Sequence, residues 1–227
     1  MIGLGFNAYI HDTAAALIRD GETVAFVEEE RLIREKHTTR FPEKSIRYCL
    51  EEAGVSMKDV DYVAFYWDPY AGFFHRLGQT IKNLPASLKP LFGHQLNNFR
   101  AIRNVEQAFR ETFNYTGEFY FINHYLSHAA HAAYRSPFRE ASILVVDGNG
   151  EIGTTWLGKL NPDGKIQTLR EVRYPHSIGL VWCAVTEYLG FTQNYDEGKV
   201  MGMSAFGDDC LIEHFQVRLV GPLRFPS

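Results

Sequence analysis

The sequence predicts an α/β fold. Three observations carry this. The chain opens with three short apolar segments, the last two joined by a tight turn. An amphipathic helix and a buried-type strand follow. The same outline of strands, hairpin and helix then recurs in the second half.

Taken in order, residues 2–9, 14–19 and 23–28 read as strands, punctuated by Gly3, Gly5 and an Asp20-Gly21 pair that signals a hairpin. After Pro42, the segment SIRYCLEEAGV puts Ile46, Cys49, Leu50 and Ala53 on one helical face, and Gly54 suits its C-terminal cap. VDYVAFYW at 60–67 reads as a buried strand. Residues 68–118 break the rhythm with Pro69, Pro85, Pro90 and many aromatics. Leu96, Phe99, Ile102, Val105, Phe109 and Phe113 recur there at helical spacing, so a helical insertion is expected, with this stripe in the core. Its cations, Arg76, Lys82, Lys89, Arg100, Arg103 and Arg110, read as a solvated face. A strand at 118–123, a small-residue helix HYLSHAAHAAYRS ended by Pro137, and a buried strand at 141–148 come next. TTWLGKL and KIQTLREV flank Asn161-Pro162-Asp163-Gly164 as a second hairpin, and SIGLVWCAVTEYLG is a helix ended by Gly190.

Composition narrows the function classes. The chain has 227 residues, 45% of them hydrophobic and 22% charged, with a net charge of -4. That is an ordinary globular balance with room for one large domain; it excludes a disordered tail, a coiled coil and a collagen-like chain. The slight acidity argues against a broad nucleic-acid footprint. No apolar run approaches the ~20 residues of a membrane span, and the start MIGLGFNAYIHD lacks the cationic lead of a secretory signal. Cys49, Cys183 and Cys210 are odd in number and form no C-x-x-C pair, which disfavours disulfides and thiolate zinc and fits a reducing cytoplasm.

The most specific chemistry lies in NHYLSHAAH at 123–131. His124 and His128 stand at i and i+4, so both project from one helical face and suit a shared metal ion; the alternative is a pair of surface or capping histidines. His131 reads as a spare. Asp147 ends a strand and runs into Gly148 and Gly150, where a carboxylate and glycine N–H groups could meet a ligand at the carboxyl edge of a sheet. The opening hairpin holds Asn7, His11, Asp12 and Thr13, which would face a phosphate or simply close an Asx turn. The charged run from Val27 to Pro42 reads as a solvated face, although three consecutive glutamates at a strand end are unusual. Lys199 sits among glycines in EGKVMGMSAFG without the spacing of a phosphate-binding P-loop.

Together these pieces resemble one family. MIGLGFNAYIHDTAAALIRDGETVAFVEEERLIREKHTTRFP, HYLSHAAHA, VVDGNGE, PHSIGLVW and DEGKVMGMSAFG are similar to the nodulation and antibiotic O-carbamoyltransferases, with tRNA threonylcarbamoyl-adenosine synthase as a wider relative. The resemblance implies the RNase H-like first lobe of an actin/hexokinase/Hsp70-type ATPase fold. It implies transfer of a carbamoyl group from carbamoyl adenylate to a substrate hydroxyl. It places metal ligands on His124, His128 and Asp147, a base on His11, a carbamoyl- or phosphate-contacting lysine on Lys36, and cofactor-binding positions on Asp12, Gly148, Gly150, Lys199 and Gly202. The implied ion is divalent, iron first, with manganese and zinc as alternatives; ATP and carbamoyl phosphate would be handled by a further adenylate-forming domain. The resemblance runs to about residue 207, so an incomplete N-terminal carbamoyltransferase domain over 1–207 is expected, with an off-pattern tail at 208–227. The expected chain is then a truncated one, inactive without its C-terminal part and exposing apolar surface. Expected partners are a small-molecule hydroxyl acceptor and a complementary C-terminal fragment, with no nucleic acid and no membrane. The competing readings are a non-catalytic nucleotide-binding or interaction fragment and a sugar-kinase-like phosphotransferase.

Overall fold

The computed structural model describes residues 1–10, 12–72, 75, 78, 81–82 and 100–208. His11, Cys210, the tail beyond Asp208 and much of the 68–118 insertion, including Arg76, Lys89, Leu96 and Phe99, lie outside the described residues. The chain divides into two compact units, Met1–Leu180 and Val181–Ser227.

The first unit opens as an antiparallel meander of β1 (Ile2–Asn7), β2 (Ala14–Arg19) and β3 (Glu22–Glu28). The turn between β2 and β3 uses Asp20 and Gly21, both with positive φ, as a hairpin of this hand requires. Helix α1 (Glu29–Ile33) and α2 (Glu43–Ala53) follow, and Gly54 ends α2 in the left-handed conformation. Then come β4 (Tyr62–Phe65), α3 (Val105–Phe113) and β5 (Glu118–Phe121). The sheet order is β3-β2-β1-β4-β5, with β1, β4 and β5 parallel. Their carboxyl ends therefore share one edge, where ligands gather in open α/β sheets.

One face of this sheet is closed by aromatic packing. The parallel register aligns Phe6 with Phe65 and Phe65 with Phe121. Phe109 of α3 stacks on Phe6 with ring centroids 5.3 Å apart, and Phe41 and Phe119 meet the same ring edge-on. The stripe expected of the insertion is thus a core element over Ile102, Val105 and Phe109. The other face is open, with Phe26 61% exposed and Ile18 and Tyr120 also exposed.

Helix α4 (His124–Tyr134) leads into an antiparallel sheet of β6 (Ala141–Val146), β7 (Gly153–Leu160) and β8 (Ile166–Arg173) in the order β6-β7-β8. Tyr125, Ala129 and Ala133, one helical turn apart, pack on Ile143, Val145, Trp156 and Leu160. Alanine lets the helix lie close to the strands. The buried strand expected at 141–148 is instead two-faced: Leu144 is 65% exposed and Val146 is exposed, because α4 covers only one side of the sheet. Helix α5 (Ile178–Tyr188) is apolar around most of its circumference yet exposes Val181, Trp182 and Tyr188. Helix α6 (Glu197–Met203) follows; its glycines hide the helical period in the sequence.

The charged run after Val27 is not simply a solvated face. Glu29 is 3% exposed, and its carboxylate accepts from the N–H groups of Lys44 and Ser45 and from the Ser45 hydroxyl at 3.2, 2.7 and 2.7 Å. It caps the first turn of α2, whose N-cap position is Pro42 and supplies no side-chain acceptor. Replacing Glu29 by Ala should cost about 3 kcal/mol in urea unfolding, because N–H groups at a buried helix start lose their charged acceptor. The same change at exposed Glu52 should cost less than about 0.5 kcal/mol.

Candidate functional site

Helix α4 starts immediately beyond β5, at the carboxyl edge of the first sheet. Asn123 caps it, its Oδ1 accepting from the N–H groups of Tyr125 and Leu126. Glu151 completes the cap from the second sheet. Its carboxylate accepts the His124 N–H at 3.0 and 3.2 Å, the Asn123 side-chain amide at 3.1 Å and the Asp68 N–H at 2.8 Å. Glu151 is 1% exposed. Burial raises its carboxyl above the ordinary range, and the N–H donors of Asp68 and His124 oppose that shift.

On this helix, His124 is walled by Tyr66, Trp67 and Tyr125, with ring centroids 5.6, 5.4 and 5.7 Å away. His128, one turn on, leaves its side chain 53% exposed, so the pair has a dry side and a wet side. Their Nε2 atoms approach to 3.2 Å. Asp147, following β6, places Oδ2 at 2.6 Å from His124 Nε2 and 3.7 Å from His128 Nε2, while its Oδ1 accepts the Gly148 N–H at 2.6 Å. Three donor atoms from two elements therefore converge on one point. Lone pairs this close repel unless a proton or a cation lies among them. Two imidazoles and one carboxylate, with one side open to solvent, suit Fe²⁺, Mn²⁺ or Zn²⁺. His124 Nδ1 is buried without a partner among the described residues, so the usual outer support of a ligating histidine comes here from ring packing.

The aspartate itself is held from behind. The Ser177 hydroxyl donates to the carbonyls of Asp147 and Gly148 (3.2 and 2.7 Å) and accepts the Leu180 N–H at the start of α5. Gly179 lies so close that a Cβ would stand 2.6 Å from the Asp147 carbonyl and the Gly148 nitrogen. Ser177, Gly179 and Glu151 lie within PHSIGLVW and VVDGNGE without a local signal of their role, apart from a glutamate placed just beyond an apolar strand.

The other expected site residues fall in several places. His131 is exposed and outside the cluster. Lys36 is exposed in the turn after α1. Asp12 lies in the β1–β2 loop, which Asn7 closes: its amide donates to the Asp12 carbonyl at 3.0 Å and its oxygen accepts the Ala14 N–H at 2.6 Å. The Gly150 N–H donates to the Gly153 carbonyl and the Tyr125 hydroxyl, so a phosphate at this turn would compete for it. Lys199, in the second unit, pairs with Asp196 at 2.6 Å, and Gly202 has open space where a side chain would stand. His11 lies outside the described residues.

Two outcomes are expected. Glu151→Ala should cost about 3 kcal/mol in urea unfolding, since it strands the Asp68 and His124 N–H groups. Hydrogen bonds from His124, then His128, hold the Asp147 carboxyl well below the usual carboxylate range, against its burial. A group lowered in this way stabilises the fold above its unfolded pKa, and that stability is lost as pH falls through the lower folded value. Urea stability of the metal-free protein should therefore drop between roughly pH 5 and pH 2, and Asp147→Asn should flatten that drop.

Comparison with known proteins shows the family of this chain. Residues 2–219 match the family described as Carbamoyltransferase N-terminus. The uncharacterized protein sll1178 of Synechocystis is 38% identical over 90% of this chain and 34% of its own length. Nodulation protein NolNO of Sinorhizobium fredii is 35% identical over 89% of this chain and 28% of its own length. The chain thus spans about a third of the length of these relatives. Among solved structures, YeaZ from Pseudomonas aeruginosa overlays with a TM-score of 0.41 at 17% identity, covering 77% of this chain and 66% of its own, a likeness too loose to carry any conclusion about chemistry. With nearly its whole length matched, the chain belongs to the carbamoyltransferase family, in the region that forms its N-terminus.

Proposed function

We propose that this chain carries the transfer half of an O-carbamoyltransferase, moving a carbamoyl group from carbamoyl adenylate to a substrate hydroxyl. The observation that supports this most directly is the convergence of His124, His128 and Asp147 at a sheet edge within a carbamoyltransferase-family chain. In the step proposed, the acceptor oxygen bonds to the carbamoyl carbon, the bond from that carbon to the adenylate phosphate breaks, and AMP leaves with the electron pair. The hydroxyl proton goes to a base, the role assigned to His11, an imidazole being suited to proton transfer near neutral pH. A divalent ion held by His124, His128 and Asp147 would supply Lewis-acid stabilisation of the departing phosphate. Lys36, on its exposed turn, would add a cation for the same charge. The aromatic wall of Tyr66 and Trp67 keeps water from one side of His124. Formation of carbamoyl adenylate from ATP and carbamoyl phosphate is assigned to the longer remainder seen in the relatives, and a complementary C-terminal region is the partner this requires.

The test supplies carbamoyl adenylate and a panel of sugar and aminoglycoside acceptors to the protein loaded with Fe²⁺, and measures AMP release and carbamoylated product. His124→Ala with His128→Ala should lower transfer roughly 100- to 1000-fold, the scale of losing one preorganised electrostatic stabiliser. Nucleotide binding with no transfer by the wild-type protein, even with the separate C-terminal region added, would favour a non-catalytic nucleotide-binding module. Transfer undiminished in the double variant would exclude the metal-assisted route.

A further inference from the structure

Among the described residues, a second group of metal-ligating side chains shares no member with His124, His128 and Asp147. Asp12, Glu30 and His37 bring one donor atom each within 4.8 Å of one another. They come from three pieces of chain: the β1–β2 loop, the first turn of α1 and the turn beyond α1. All three lie at the edge of the first sheet where β1 and β3 meet these loops.

The placement is fixed by the fold and not by the three side chains alone. Asn7 closes the loop that presents Asp12. Buried Glu29 ties α1 to the start of α2, and so holds Glu30, whose side chain is only 15% exposed. The stretch after His37 is strapped to the first loop by Tyr9 N–H to the Thr39 carbonyl at 3.1 Å and Thr13 N–H to the Thr38 carbonyl at 3.2 Å. His37 Nδ1 lies 2.9 Å from Asp12 Oδ1, and the His37 N–H donates to Glu30 Oε2 at 3.0 Å. The Asp12 and His37 side chains are 45% and 46% exposed, which leaves room for further ligands from solvent. Directly beside Asp12, the Thr13 hydroxyl is buried with no hydrogen-bond partner among the described residues. Arg31 lies 3.5 Å from Glu30 and is itself paired with Glu28.

We propose that Asp12, Glu30 and His37 form a second divalent-cation site. Two carboxylate oxygens and one imidazole make it richer in oxygen than the centre at His124, so it should prefer Mn²⁺ or Mg²⁺ where the first site, with two imidazoles, prefers Fe²⁺ or Zn²⁺. The inference stands whether or not the first centre holds metal.

Mn²⁺ alone serves as the probe, with stoichiometry and affinity measured by calorimetry and by the loss of the free-ion EPR signal. The wild-type chain is compared with an Asp12→Asn, His37→Gln pair and with a His124→Ala, His128→Ala pair, each checked for unchanged thermal unfolding without metal. The Asp12/His37 pair should lose one Mn²⁺ that the His124/His128 pair retains. His37→Gln alone, on an exposed side chain, should weaken the retained ion on the order of 10- to 100-fold. Unchanged Mn²⁺ binding in the Asp12/His37 pair, or no Mn²⁺ bound in the His124/His128 pair, would overturn the proposal and leave Asp12 and His37 as hydrogen-bonded neighbours. A single wild-type ion lost only in the Asp12/His37 pair would uphold this site while removing metal from the first.

Discussion

The arrangement depends on one buried carboxylate. Glu151 holds the start of α4, the loop after β4 and the turn after β6 at a single point, by accepting from Asn123, His124 and Asp68. Burying a carboxylate is costly unless its lone pairs are filled, and here backbone N–H groups and a side-chain amide fill them. The first N–H groups of a helix also need acceptors, so the glutamate and the helix start satisfy each other. That pairing joins a helix leaving one sheet to a turn leaving another, and it brings His124 and Asp147 to 2.6 Å.

The same device appears twice. Glu29 does for α2 what Glu151 does for α4: a buried carboxylate reaches across the chain to a helix start. Each lies next to one of the two groups of converging donors, Glu29 beside Glu30 and Glu151 close to Asp147. A rigid anchor adjacent to a polar group limits the freedom of that group, which is the condition for side chains to converge without a ligand already in place.

Much of this was legible in the sequence. Strand and helix order followed from hydrophobic period, from Asp20-Gly21 and from Gly54, because these are local signals that the folded chain keeps. The histidine pair was legible too, since i and i+4 share a helical face in any helix. Other features were not. Leu144 and Val146 read as buried, and their exposure depends on which side of the sheet α4 covers, which no local pattern encodes. Glu29 read as solvated for the same reason: its partners are fifteen and sixteen residues away. Ser177 and Gly179 matter only because α5 begins against the Asp147 peptide, thirty residues back along the chain.

By itself the sequence determined the α/β class, the order of the elements other than α1 and α6, the family resemblance and the residue types able to ligate or transfer protons. These follow from spacing and side-chain chemistry, which are properties of the chain before it folds. The tertiary structure alone decided which of those groups meet. It set His124 and His128 against Asp147, gathered Asp12, Glu30 and His37, and left His131 outside both groups. The physical reason is that proximity across two sheets is fixed by long-range hydrogen bonds and packing, chiefly those of Glu151 and the aromatic wall around His124.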